Sequence, residues 1–453
     1  MKLHFIAIGG AAMHNLAIAL HKKGEIITGS DDEIFEPSKG RLANYDLLPE
    51  NIGWDVGKID ESIDAIILGM HARADNPELV KAQKLGLKIY SYPEYLYEHA
   101  KDKIRIVIGG SHGKTTITAM LLHVMKLAGI ETDYMVGAQL EGFEVMVKLS
   151  DDAKYMVFEG DEYLTSPIDR RPKFHLYRPH IALLSGIAWD HINVFPTLEN
   201  YIEQFQIFIN LIEKEGSLAY CINDDTLKSL VNEKELSIQT NAYSLPTHFI
   251  KGGITYLETY YGNIGLEIFG EHNLLNLNGA HQICKELGIS DQEFYNAISS
   301  FKGASNRLEK IAEDSFTTLF KDFAHSPSKL KATIQAVKAQ FPDRDLVACM
   351  ELHTFSSLNQ NFLKQYSGSM DDADYAFVYY NPETIKHKKL APLTHEIIRD
   401  AFNHRNLKVY NNSEVLISYL LNHNWRGKNI LMMSSGNFDG LDYPSFSRNV
   451  LQA

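Results

Sequence analysis

The sequence predicts an α/β protein of three domains, and three observations lead there. Short β-rich apolar runs alternate with longer helical patterns along the whole chain, which is how parallel strands joined by crossover helices read in sequence. Three segments stand out, each opening on a strand, with the runs LHFIAIGG, IRIVIGG and TTLFKDFA. At 453 residues the chain is long enough for about two to four domains of ordinary size. Boundaries are expected near residues 102 and 303, which gives segments 1–102, 103–303 and 304–453.

In the first segment a helix from about Ala12 to Lys23 follows the opening strand, then a turn at Gly24 and the strand EIITGSDD. A strand over Asp64–Met70 and a helix around Pro77–Leu85 complete the pattern. In the second, IRIVIGG runs directly into SHGKTT and a helix Thr116–Ala128 stopped by Gly129. Ile117, Met120, Leu121 and Val124 give that helix one apolar stripe. Further strands are expected at YMVFEG and HIALLSGI. The third segment predicts strand TTLFKDFA, helix Ser326–Phe341, and strands DLVACMEL, DYAFVYY and LKVYN. A helix capped by Ser413 and the strand NILMMSSG close it.

Composition narrows the function. Hydrophobic residues at 45% and charged residues at 22% suit a globular chain with sizeable cores. A net charge of −13 argues against nucleic-acid binding, which needs a basic face. A phosphorylated small molecule remains compatible, because backbone amides and a few local cations hold it. Cys221, Cys284 and Cys349 lie too far apart for a CxxC pair or a zinc spacing, so three reduced structural cysteines are expected. MKLHFIAIGG lacks a signal-peptide pattern, and no apolar run approaches the ~18 residues that span a bilayer. A soluble cytoplasmic enzyme without membrane insertion is the expectation.

Gly110-Ser111-His112-Gly113-Lys114-Thr115-Thr116 lies between a predicted strand and a predicted helix. That is the setting of a phosphate-binding loop: glycines let the backbone approach phosphates, and a helix N-terminus offers N–H groups. Lys114 is placed to reach the β/γ-phosphates and the Thr115 hydroxyl to ligate Mg²⁺. Ile108 stands where the general pattern has its first glycine, so the loop is a shorter variant. Glu159 and His191, each just past a predicted strand, sit where α/β sites form and can supply two metal positions. Taken alone, each is more often a solvated or structural residue.

Gly9, Gly10, Ala11, Ala12 and Met13 form a second glycine turn between strand and helix, suited to a diphosphate. Asp31, about twenty residues on, is a candidate for a ribose or uracil edge. By itself this segment suggests a nicotinamide-dependent dehydrogenase, a reading that leaves the GKTT loop without a task. The basic run DRRPK (Asp169–Lys173) fits an anion contact or a solvated face equally well.

Together these motifs resemble the Mur ligases of peptidoglycan synthesis, in the same order and over essentially the whole chain. Gly110–Thr116 is similar to that family's ATP loop, Glu159 to its magnesium glutamate, and Asp190-His191 to its strand-end DH pair. Gly270–Asn276 is similar to its G-x-H-N-x-x-N segment, with His272, Asn273 and Asn276 near the nucleotide. Arg307 in NRLEK and Asp322-Phe323-Ala324-His325-Ser326-Pro327 match its remaining motifs, and His71 with Asn76-Pro77 its first-domain segment. The resemblance implies a Rossmann-like domain for a UDP sugar, a P-loop ATPase domain, and a Rossmann-like C-terminal domain for an amine substrate. ATP and Mg²⁺ are the implied cofactors. The implied reaction is acyl-phosphate formation followed by amide formation, with Lys114, Glu159, His191, Arg307 and His325 as its residues. Two segments, Glu159–Pro179 and Met433–Gly440, resemble the branch that joins UDP-N-acetylmuramate to the murein tripeptide L-alanyl-γ-D-glutamyl-meso-diaminopimelate. Leu352-His353-Thr354-Phe355-Ser356 is closer to the branch that adds free L-alanine. The carbamylated lysine of some members is not expected, since Gln204, Phe205 and Gln206 stand near its place.

Overall fold

The computed structural model describes residues 1–137, 145–189, 194–233, 236–304 and 307–452. The chain forms two compact units: Met1–Ile187 with Glu199–Tyr243 and Gln282–Gly288, and Ala188–Leu198 with Ser244–His281 and Ile289–Ala453.

The first unit holds two sheets. One has four parallel strands in the order Ile26–Ser30, Lys2–Ile6, Ala65–Leu68, Ile89–Ser91. The other has seven, ordered Gln239–Tyr243, Ser217–Cys221, Ile181–Leu184, Ile104–Gly109, Tyr155–Glu159, Thr132–Met135 and the short antiparallel Val147–Lys148. Central strands are buried on both faces, which explains their unbroken apolar runs. The helix Lys114–Leu127 covers this sheet. Its stripe Ile117, Met120, Leu121 and Val124 is fully buried, worth about 1.5–3 kcal/mol per side chain.

Polar groups in this unit tie the sheets together. Arg105 donates to the carbonyls of Ala100 and Lys101 at 3.2 and 2.7 Å, to those of Tyr177 and Arg178 at 3.0 and 2.9 Å, and to Glu213 at 3.0 Å. It thereby staples the linker between the sheets. Asp133 accepts from Lys103 at 2.6 Å and Ser150 at 2.7 Å and pairs with His99 at 3.1 Å. The DRRPK run is engaged within the protein: Arg171 pairs with Asp169 at 2.6 Å, and Lys173 with Asp161 at 2.5 Å. Arg170 is exposed.

The second unit has a three-stranded antiparallel sheet, His248–Lys251, Ile254–Thr259 and Gly262–Leu266. Its six-stranded sheet runs Glu309–Glu313, Thr318–Asp322, Lys428–Met433, Asp345–Leu352, Tyr375–Tyr380, Leu407–Tyr410. Only the first of these is antiparallel to its neighbour. One helix start is corrected: Asn412, not Ser413, caps the helix Ser413–Leu421, its side chain accepting from the Val415 N–H at 3.1 Å. All three cysteines are buried and unpaired, as a structural role requires.

Candidate active site

The strand Ile104–Gly109 ends in a loop that only glycine backbone can follow. Gly110 has φ +121° and Gly113 φ +80°, and a Cβ on Gly110 would collide with Ser185 of the adjacent strand exit. The Ser111 N–H donates to the Gly186 carbonyl at 3.0 Å, and the Ser185 hydroxyl to the His112 carbonyl. The loop is thus pinned to the neighbouring strand end. Gly113 brings no capping side chain to the helix Lys114–Leu127, which leaves the first-turn N–H groups and the dipole facing the loop.

Lys114 donates to the Gly110 carbonyl at 2.7 Å and to Glu162 at 2.6 Å. Burial opposes its charge, but Glu162, Asp161 and Glu159 outweigh that and hold its pKa above the ordinary lysine value. The Thr115 hydroxyl donates to Glu159 at 2.8 Å, and the other Glu159 oxygen accepts the Gly137 N–H at 2.9 Å. Thr115 and Glu159 therefore present a hydroxyl and a carboxylate side by side, hard oxygen donors of the kind Mg²⁺ prefers when phosphates and water complete its shell. Among the described residues no group of three or more His, Cys, Asp or Glu forms a cage of its own. Asp190 and His191 lie outside the described residues.

At the first sheet, the Gly9 N–H donates to Asp31 at 2.7 Å, and a Cβ on Gly9 would meet that same carboxylate oxygen at 2.9 Å. Asp31 thus fixes the glycine turn itself. Burial pushes its pKa up to about 6 against the Gly9 hydrogen bond, with Asp32 adding to the rise. Gly10 provides no side-chain cap for the helix Ala11–Lys22. Ala11 is exposed and Ala12 half-exposed, whereas Met13 is buried in the core. His71 is exposed in the loop after strand Ala65–Leu68, which pairs with Lys2–Ile6 beside the turn.

In the second unit, Asp322 ends its strand and accepts the Leu308 N–H at 3.2 Å and the Thr333 hydroxyl. Its charge acts on His272, whose pKa burial lowers. The Arg307 guanidinium lies 4.6 Å over the Phe323 ring, against whose edge His325 packs at 5.2 Å. His325 also contacts the Phe323 carbonyl through Nδ1 at 2.8 Å. Asn273 donates to the Phe269 carbonyl at 2.9 Å, and Asn276 is buried on the same helix. Four of the motif residues named from sequence, His272, Arg307, Asp322 and His325, are therefore gathered around Asp322-Phe323.

Sequence reasoning missed several polar residues. Glu162 and Tyr201 bear on Lys114, and Ser185 on the loop. Glu351, at the end of strand Asp345–Leu352, accepts the Phe438 N–H at 2.8 Å and the Ser434 hydroxyl. The signal for Glu351 was present: a lone acid inside the apolar run DLVACMEL.

Comparison with known proteins agrees with this geometry. A family model described as Mur ligase middle domain matches residues 108–284, and one described as Mur ligase family, catalytic domain, matches residues 2–104. A UDP-N-acetylmuramate–L-alanine ligase from Sulfurihydrogenibium is 30% identical over 97% of this chain and 96% of its own. The fold resembles the UDP-N-acetylmuramate–alanine ligase of Thermotoga maritima, with TM-score 0.72, 20% identity, and coverage of 100% of this chain and 98% of that one. It also resembles a murein peptide ligase from Psychrobacter arcticus, with TM-score 0.67, 23% identity and the same coverages. Among the described residues no helix is long and apolar enough to cross a membrane. With these family matches and a likeness over nearly its full length, the chain belongs to the Mur ligase family, the ATP-dependent ligases of peptidoglycan synthesis.

Proposed function

We propose that this enzyme joins the lactoyl carboxylate of UDP-N-acetylmuramate to the α-amine of an L-alanyl donor, with free L-alanine as that donor. The observation that carries the ligase chemistry is the loop itself: Lys114 beside Gly110, backed by the Thr115–Glu159 pair. The choice of L-alanine rests on sequence relatives that bear that name over most of this chain. The Leu352–Ser356 segment supports it. A second reading takes the murein tripeptide, whose reacting group is also an L-alanyl amine. Segments Glu159–Pro179 and Met433–Gly440 favour it.

In either reading the carboxylate attacks the γ-phosphate of ATP and ADP departs, leaving an acyl phosphate, from which the amine displaces phosphate with loss of one proton. No enzyme nucleophile is needed, so the protein contributes alignment and charge neutralisation. The Gly110–Thr116 backbone amides and Lys114 would bind and orient the phosphates. Thr115, Glu159 and His191 are our candidates to hold Mg²⁺, which supplies charge neutralisation when bound. His272, Asn273, Asn276 and Asp322 are assigned to the nucleotide, and Arg307 and His325 to the reacting phosphate. Gly9, Gly10, the N-terminal amides Ala11–Met13, Asp31 and His71 are assigned to the UDP sugar. In this scheme residues 1–102 take the UDP sugar, 103–303 the ATP and 304–453 the amine. The test is phosphate release with ATP, Mg²⁺ and UDP-N-acetylmuramate, comparing L-alanine with the tripeptide. Turnover with L-alanine at higher kcat/KM supports the first reading. Preference for the tripeptide replaces it with the second, and release with neither overturns both.

A further inference from the structure

Lys114 is held by Glu162 as well as by the glycine turn. We propose that Glu162, braced by Tyr201, is a positioning residue that aims the Lys114 ammonium at the bound phosphates. The proposal rests on the reading of Gly110–Thr116 as the ATP loop. An ammonium has three N–H donors. The Gly110 carbonyl and the Glu162 carboxylate take two of them, at 2.7 and 2.6 Å, and fix the direction of the third. Glu162 is itself fixed: only 1% of its side chain is exposed, and its other oxygen accepts the Tyr201 hydroxyl at 3.0 Å. Tyr201 is fully buried on the helix Leu198–Asn210, and its oxygen lies 2.9 Å from the Ser111 hydroxyl. The series Ser111, Tyr201, Glu162, Lys114 therefore leaves the phosphate loop and returns to it three residues later.

The Tyr201 bond satisfies the remaining lone pairs of a buried carboxylate and, by running on to Ser111, ties that carboxylate to the loop itself. The neighbouring acids are also committed elsewhere, Glu159 to Thr115 and Gly137 and Asp161 to Lys173. Each acid of Glu159-Gly160-Asp161-Glu162 thus has a separate partner, and Glu162 is the one given to the lysine. Holding a flexible side chain in its working direction before the phosphates arrive removes an ordering cost from the reaction, and small misplacements near a reacting centre lower rates by up to about 100-fold.

The experiment compares the full-length parent with Glu162→Ala, Glu162→Gln and Tyr201→Phe. Three measurements are made: kcat for phosphate release, calorimetric Kd for ADP in excess EDTA, and Tm. Glu162→Ala should lower kcat about 10- to 100-fold while Kd for ADP stays within about threefold. Glu162→Gln, whose amide oxygen still accepts from Lys114, should recover kcat to within about threefold of the parent. Tyr201→Phe should lose less, about three- to tenfold, again at unchanged Kd. A parent-like kcat in Glu162→Ala overturns the proposal while leaving the ATP-loop reading intact. Parallel loss of kcat and ADP binding, with Gln no better than Ala, also overturns it and marks Glu162 as structural. Should Glu162→Ala fail to fold, Tyr201→Phe decides alone: reduced kcat at unchanged Kd supports, parent-like kcat refutes. A parent that binds no ADP overturns both this proposal and the loop assignment.

Discussion

Replacing Lys114 with alanine separates two roles that the ion pair combines. In the proposed reaction, Lys114 is a preorganised cation with one donor left for phosphate. Losing one such donor costs about 10²- to 10³-fold in rate, or about 3–4 kcal/mol. In the fold, the same change strands Glu162, whose side chain is 1% exposed, without its cation. Removing one partner of a buried pair costs about 3–5 kcal/mol, and with Lys114 only 14% exposed, solvent screening softens this little. The single variant should therefore lose both phosphate release and stability, and a fall in rate alone proves little. The informative partner is the double variant Lys114→Ala with Glu162→Ala, which removes the stranded charge. Its urea midpoint should recover most of the loss while phosphate release stays at least 100-fold down, and UDP-sugar binding should be parent-like in both. Phosphate release within about threefold of the parent in the single variant would end the assignment of this loop to phosphate. Recovery of rate in the double variant would reduce Lys114 to a neutraliser of Glu162.

Three further outcomes follow from the same geometry. If Asp31 accepts a sugar hydroxyl as proposed, its ionised form is the stronger acceptor, and its pKa is pushed up to about 6, so UDP-sugar affinity should weaken, by up to about tenfold per unit, as pH drops below that value; an Asp31→Asn variant should bind weakly with a flat profile, and a parent KM that does not change between pH 5 and 7 removes Asp31 from the ligand. Burial raises the Asp133 pKa, but His99, Lys103 and Ser150 outweigh it and hold the value below the usual 3.8. Its stabilisation is accordingly present above that value and lost as pH falls through the lower folded one. Asp133→Asn should cost about 3–5 kcal/mol in urea unfolding at pH 7 and much less once pH is below the folded value. Gly110→Ala, at φ +121° and against Ser185, should cost about 1–3 kcal/mol and slow phosphate release at least tenfold; a parent-like Tm and rate would show that the loop has another path.

What the sequence disclosed depended on how contiguous each feature is. The strand–turn–helix geometry of Gly110–Thr116 was legible because seven successive residues carry its turn and its helix start. IRIVIGG and DLVACMEL were legible because strands buried on both faces have no polar alternation to confuse with a helix. The edge strand Gln239–Tyr243 was not, since only Tyr243 in QTNAY is buried and it sits beside one neighbour alone. The antiparallel sheet His248–Leu266 was missed for a related reason, as its apolar residues are few and half-exposed. Tyr201 could not be found at all: it reads as one more apolar residue of an amphipathic helix, and its hydroxyl reaches a loop ninety residues earlier in the chain. His272, Arg307 and His325 were reached through family resemblance alone, since their meeting around Asp322-Phe323 is a tertiary fact that no local pattern encodes.

Several buried acids can be compared by the groups that hold them. Asp133 is paired with Lys103 and His99, and Glu78, fully buried, pairs with His4 and accepts the Asp55 N–H at 2.7 Å. Glu159 and Asp322 end their strands and Glu351 stands one residue before its strand's end; each accepts one backbone N–H and one hydroxyl, and Glu351 also has His353 at 3.6 Å. Asp31, just past its strand, leans on the Gly9 N–H. Among the described residues none of these four has a lysine or arginine within ion-pairing distance. Neutral donors reduce the cost of burying a carboxylate without cancelling its charge, so each leaves a negative potential at a strand end. In the proposed scheme Glu159 meets Mg²⁺ and Asp31 a sugar hydroxyl, and a resident lysine would have to be displaced first. Glu162 is the contrast: it holds Lys114, which the same scheme assigns to the phosphates.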